Sequence, residues 1–142
     1  MVDRDSFRLS IGVALSEIGK VIDLLDGELA ARRVPPDLSH KAQTVADEMV
    51  TNVIRHGYGD DRPHTIDVEV VVYDNVLTLH FSDDGIPFNP WDRPAPDPTR
   101  PLGEPQGGGM GIHLVRQLAA DCRYARAGGR NQVTVTLRQA VA

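Results

Sequence analysis

Cysteine is nearly absent: Cys122 stands alone among 142 residues. An internal disulfide framework is excluded, and a reducing, cytoplasmic setting is expected. Cys122 lies between Asp121 and Arg123, just past an apolar helix, which favours a buried small hydrophobe over a reactive thiol. No apolar run approaches the ~18 residues of a membrane-spanning helix. The start, Met1-Val2-Asp3-Arg4-Asp5, lacks the basic-then-apolar order of a signal peptide. Basic charge is in deficit, with a net charge of −5. That argues against nucleic acid as the main partner, since a phosphate backbone demands a basic face. No Gly-Lys-Ser/Thr follows any glycine run, so there is no Walker A loop. Internal repeats and heptads are absent too.

What is present suits one folded domain over residues 1–142. Hydrophobic residues make up 41% and charged residues 25%, ordinary for a soluble chain that can bury a core. Residues 7–13 alternate as a strand. Ser16 is a plausible N-cap for a helix reaching about Arg33, with Ile18, Val21, Ile22, Leu25 and Leu29 as its apolar stripe. Val34-Pro35-Pro36 breaks it. Pro36-Asp37-Leu38-Ser39 opens a second helix, with Ala42, Val45, Ala46, Met49, Val53 and Ile54 as its buried stripe. It stops at Gly57. Residues 66–72 and 76–81 form a hairpin about Asp74-Asn75. A helix over 110–120 and a last hairpin, 123–127 with 132–138, complete the chain.

Three stretches carry chemistry. On the second helix, Glu48 and Asn52 lie four apart, so they project from one face. A carboxylate there can take a proton, and an amide oxygen can ligate a hard cation. His56 follows one turn later on the same side. It can touch phosphate, support Asn52 or cap the helix carbonyls. Next, Asp83-Asp84-Gly85 ends an apolar strand. Either aspartate can accept from a base amine, and Gly85 lets the backbone approach closely. Last, Gly107-Gly108-Gly109-Met110-Gly111 opens a helix, where backbone N–H groups and the positive helix end suit phosphate. Between the last two, from about 84 to 109, periodicity vanishes. Seven of the ten prolines fall between Pro87 and Pro105. So long an irregular stretch is usually functional or a solvated linker. Phe88 and Trp91 lie in it and can pack it down or meet a partner. His113 can contact it or simply be exposed. His80, on the outward face of its strand, reads as structural.

Glu-x-x-x-Asn, then Asp-x-Gly after a strand, then a glycine-rich helix start resembles the GHKL ATPase superfamily. That superfamily includes histidine kinases, gyrase-type ATPases and anti-sigma-factor serine kinases. The resemblance runs from about Ser39 to Leu137. It implies an α/β two-layer sandwich of the GHKL (Bergerat-type) ATP-binding fold, with a mixed, mostly antiparallel sheet and helices on one face.

The resemblance also implies roles. Glu48 would be the general base, taking the proton of a serine or of water. Asn52 would bind Mg²⁺ and bridge it to the phosphates. Asp83 would accept from adenine, beside Gly85. Gly107, Gly108, Gly109, Met110 and Gly111 would hold the triphosphate of ATP, His56 would stand nearby, and 84–109 would be the nucleotide lid. Pro87 replaces the motif's second glycine and puts one backbone contact in doubt. A histidine kinase would carry a dimerisation helix pair before this domain, and gyrase-type proteins are much longer. The chain is therefore expected to resemble an anti-sigma-factor serine/threonine kinase. Such kinases phosphorylate a serine of a STAS-domain antagonist, bind a sigma factor and form homodimers. The alternatives are a nucleotide-dependent binding module without phosphotransfer and an ATPase domain detached from a two-component signalling protein.

Overall fold

A computed structural model describes residues 4–59, 62–92 and 109–139, with the backbone alone at Gly109 and Met110. The elements are β1 (Asp5–Gly12), α1 (Ile18–Ala31), α2 (Pro36–His56), β2 (Thr65–Tyr73), β3 (Val76–Asp83), α3 (Gly109–Leu118), β4 (Asp121–Ala127) and β5 (Arg130–Arg138). The strands form one sheet in the order β1-β2-β3-β5-β4. All four pairings are antiparallel, so the sheet is not mixed.

Strand alternation sends one residue in two toward the helices. Ile66, Val68 and Val70 of β2, Leu77, Leu79 and Phe81 of β3, and Val133, Val135 and Leu137 of β5 make the inner face. Against it pack Val21, Leu25 and Leu29 of α1, Leu38, Ala42, Val45, Ala46, Met49 and Val50 of α2, and Val115 of α3. Each fully buried aliphatic side chain contributes roughly 1.5–3 kcal/mol of transfer free energy. This is the expected two-layer sandwich.

Some local expectations need correction. Ser16 is not an N-cap: it sits inside a short 3₁₀ turn, Leu15–Glu17, and the N-cap of α1 is Glu17, with no side-chain cap bond. The chain is already turning helically at Leu15, so the extended residue is Ala14. In α2, Val53 and Ile54 are only half buried, while Val50 and Asn52 are buried. Cys122 is half buried in the edge strand β4, and burial pushes its thiol pKa up.

The irregular stretch begins with order. Ile86 N–H donates to Gly57 O at 2.9 Å, and Pro90–Asp92 forms a 3₁₀ turn. Trp91 packs on the core and donates from its indole nitrogen to Arg123 O at 3.0 Å. The rest of the expected lid, residues 93–108, lies outside the described residues, as do Gly107 and Gly108. Among the described residues, no helix is long and apolar enough to cross a membrane.

Candidate functional site

Four buried polar side chains occur among the described residues: Ser39, Asn52, Asp83 and Asn131. Three of them, Asn52, Asp83 and Asn131, line one cavity. Burying polar groups is unfavourable unless partners are found, so their convergence marks this place as special. The cavity lies between the C-terminal half of α2 and the adjoining ends of β3 and β5. Met49, Val53, Phe81, Val133, Phe88 and Pro90 give it an apolar lining. Its volume is about 20 Å³, room for about one water. That is less than a planar base occupies.

Alternation along β3 separates the two aspartates. Asp83 continues the inward series after Leu77, Leu79 and Phe81, and is 4% exposed. Its Oδ1 accepts from Gly85 N at 2.9 Å and from Asn131 Nδ2 at 3.1 Å. Asp84 points away to the surface. There it accepts from Tyr58 Oη at 2.8 Å and lies 3.3 Å from His64 Nδ1, with the Tyr58 and His64 rings stacked at 3.9 Å. The Tyr58 hydrogen bond holds Asp84 below the usual carboxylate range. Burial, and then the bond to Asp84, push the Tyr58 hydroxyl pKa up. Asp83, and not Asp84, faces the cavity.

The motif glycines are explained by contact. A Cβ on Gly85 would overlap Gly57 O and lie 2.9 Å from Asp83 Oδ1. A Cβ on Gly111 would overlap Glu48 Oε2. The first turn of α3 thus presses against the Glu48 carboxylate, and Gly109 and Met110 start that turn. Burial raises the Glu48 pKa, neighbouring Asp47 adds to this, and Arg55 opposes it. A partly dehydrated carboxylate is a better proton acceptor than a fully solvated one. His56 stacks on Phe88, with ring centroids 5.9 Å apart. His113 contacts its helix neighbour Gln117, at 3.2 Å. His80 bonds Thr134 Oγ1 and Gln132 Oε1 across the outer face, as expected of a structural histidine.

The structure thus gathers Glu48, Asn52, His56, Asp83, Gly85 and Gly111 at one end of the sheet. Asn131 was missed. The expected last strand, 132–138, leaves it in the turn after Gly128-Gly129-Arg130, but β5 begins at Arg130. The available signal was its inward phase with Val133, Val135 and Leu137: a polar residue in an apolar series.

Residues 13–137 match the histidine kinase-like ATPase domain. The chain belongs to that family. It is 30% identical over 95 residues to the serine/threonine-protein kinase BtrW of Bordetella bronchiseptica, covering 67% of each chain. Its fold is similar to that of the RsbU and RsbW domains of Rv1364c from Mycobacterium tuberculosis, with a TM-score of 0.66 and 18% identity. That match covers 94% of this chain but only 32% of the other. The histidine kinase domain of a blue-light activated histidine kinase from Erythrobacter litoralis matches at a TM-score of 0.50 and 16% identity, covering 87% and 59%. At such identities these likenesses show the fold alone. In this member of the family the Glu-x-x-x-Asn helix, the Asp-x-Gly turn and the start of α3 adjoin one another.

Proposed function

We propose that this protein binds ATP with Mg²⁺ and transfers the γ-phosphate to a serine of a STAS-domain anti-sigma-factor antagonist. It would thereby act as a cytoplasmic anti-sigma-factor serine/threonine kinase and regulate a sigma factor by partner switching. The observation that carries this is the Glu48 carboxylate, with its raised pKa, against the start of α3 and one helical turn from buried Asn52. The likeness to a serine/threonine kinase supports it.

Each residue then has a task. Asp83 accepts from the adenine amine with the oxygen that Gly85 and Asn131 leave open. The first N–H groups of α3, from Gly109, Met110 and Gly111, face the phosphates, continuing the run Gly107-Gly108. The side-chain oxygen of Asn52 suits a hard cation that takes its other ligands from phosphates and water. Such a cation, when bound, would neutralise phosphate charge. The serine oxygen attacks the γ-phosphorus, the bond to the β–γ bridging oxygen breaks, ADP leaves, and the serine proton passes to Glu48. Phosphoryl transfer asks mainly for this positioning. A homodimer through the N-terminal region belongs to the same reading, and β1 offers an open sheet edge for it. Light scattering would reveal a monomer of 15.5 kDa if that part is wrong.

The test is incubation with labelled ATP and a candidate STAS protein, with ATP hydrolysis followed alongside. Wild type should label the partner. Glu48→Gln should bind ATP nearly normally and transfer ~10²–10⁴ times more slowly, the usual effect of losing a general base. Pro87, in place of the second motif glycine, favours the rival reading of a nucleotide-dependent binding module. That reading predicts ATP binding with neither hydrolysis nor transfer. Absence of any adenine nucleotide binding would defeat both.

A further inference from the structure

Asn131 uses all of its hydrogen-bonding capacity. Its Oδ1 accepts from Tyr124 Oη at 2.6 Å and from Phe88 N at 3.2 Å. Its Nδ2 donates to Ile86 O at 2.8 Å and to Asp83 Oδ1 at 3.1 Å. An amide has two donor hydrogens and two acceptor lone pairs, so nothing is left over. Reversing the amide would set its oxygen against the Ile86 carbonyl and the Asp83 carboxylate, and its NH₂ against the Phe88 N–H. Its orientation is therefore fixed by four partners from three segments. The amide lies at 4% exposure, where a lost partner leaves a buried polar group unmatched.

The consequence falls on Asp83. Asn131 Nδ2 and Gly85 N–H both bond Oδ1, which leaves Oδ2 as the oxygen that can meet a ligand. We infer that Asn131 is a positioning residue that holds the Asp83 carboxylate in one rotation, with an acceptor oxygen aligned toward the nucleotide base, and so sharpens a preference for a 6-amino purine over a 6-oxo purine. This rests on the nucleotide reading given above. A locked acceptor greets an exocyclic amine and opposes a carbonyl, and polar groups left unpaired give the strong discrimination. Tyr124 stands behind Asn131 and supports it through one bond.

The test is calorimetric titration with ATP and with ITP, which differ at the 6-position in the sense required. Wild type should favour ATP. Asn131→Ala frees the Asp83 carboxylate to rotate, and the ATP-to-ITP affinity ratio should shrink about tenfold. Asn131→Asp keeps the volume but sets a second carboxylate beside Asp83. Such a pair shares a proton, so Asp83 can then donate to a 6-oxo group and the ratio should fall further. Tyr124→Phe should move the ratio the same way by a smaller factor, and it leaves β5 untouched should the Asn131 variants fold poorly. Equal loss of ATP and ITP in every variant would reduce Asn131 to a structural residue and overturn the inference. So would an unchanged ratio, or a wild type indifferent to the base. A wild type that binds neither nucleotide would instead overturn the site reading itself, and this inference with it.

Discussion

The two faces of the sheet treat polar residues differently. On the outer face Arg8 pairs with Glu69 at 2.9 Å, Ser10 bonds Asp67 at 3.0 Å, and Arg130 reaches Asp67 at 3.3 Å. These groups are partly hydrated, so their pairing contributes little. On the inner face the strands are apolar until one end, where Asp83 and Asn131 sit side by side in the β3–β5 register. There the same residue types are dehydrated, and each must be matched by a partner. The contrast teaches where to look for chemistry. Polarity at an inward position carries information that outward polarity does not.

Strand β3 carries a core position and a site position on its inner face, so it offers the sharpest comparison. Phe81→Ala removes a ring that is 1% exposed, and it should lower unfolding free energy by roughly 3–5 kcal/mol in urea titration. Two positions later, Asp83→Asn should leave most stability intact, because an amide oxygen can still accept from Gly85 and Asn131. Its NH₂ then takes the ligand side, and adenine nucleotide affinity should fall tenfold or more by calorimetry. A stability loss matching that of Phe81→Ala would break the distinction between core and site.

Glu48→Gln should show a pH-dependent effect on melting. The Glu48 pKa is raised in the folded state, so folding favours its protonated form. Its relative contribution is fully present below the unfolded pKa and is lost as pH rises through the folded one. The variant should therefore match wild type in acid and melt at a higher temperature near neutrality, with the gap opening over that window. The reverse trend would refute burial as the main cause. Arg8→Ala on the outer face should change stability least, by about 0–1 kcal/mol in the same melts.

Much of the fold was legible because its signals are local. Alternation in Ile66, Val68 and Val70 and the proline that opens α2 need no tertiary information. The site was legible where helix spacing or strand phase sets direction, as for Glu48 with Asn52 and for Asp83 after Phe81. What stayed hidden depends on packing between distant segments. Asn131 earns its place from Asp83, Ile86, Phe88 and Tyr124, and no window along the chain contains all five. Ser16 misled because a cap-forming residue says nothing about whether the backbone has already begun to turn. Order in 85–92 was hidden for the same reason, since its partners are Gly57, Arg123 and Asn131.

The two glycines that touch site atoms differ in what would yield to an added methyl. At Gly85 the obstacle is the Gly57 backbone carbonyl, which is held by its own chain. At Gly111 the obstacle is the tip of a mobile side chain, Glu48. Gly85→Ala should thus melt early, whereas Gly111→Ala should stay folded and swing Glu48 aside. The second change is conditional on its neighbour: a Glu48→Ala background removes the three atoms nearest to the methyl at 111. The pair should therefore be non-additive in double-mutant melts. A copy that had already lost Glu48 would meet less resistance to a side chain at position 111, while one that keeps Glu48 in place favours glycine there.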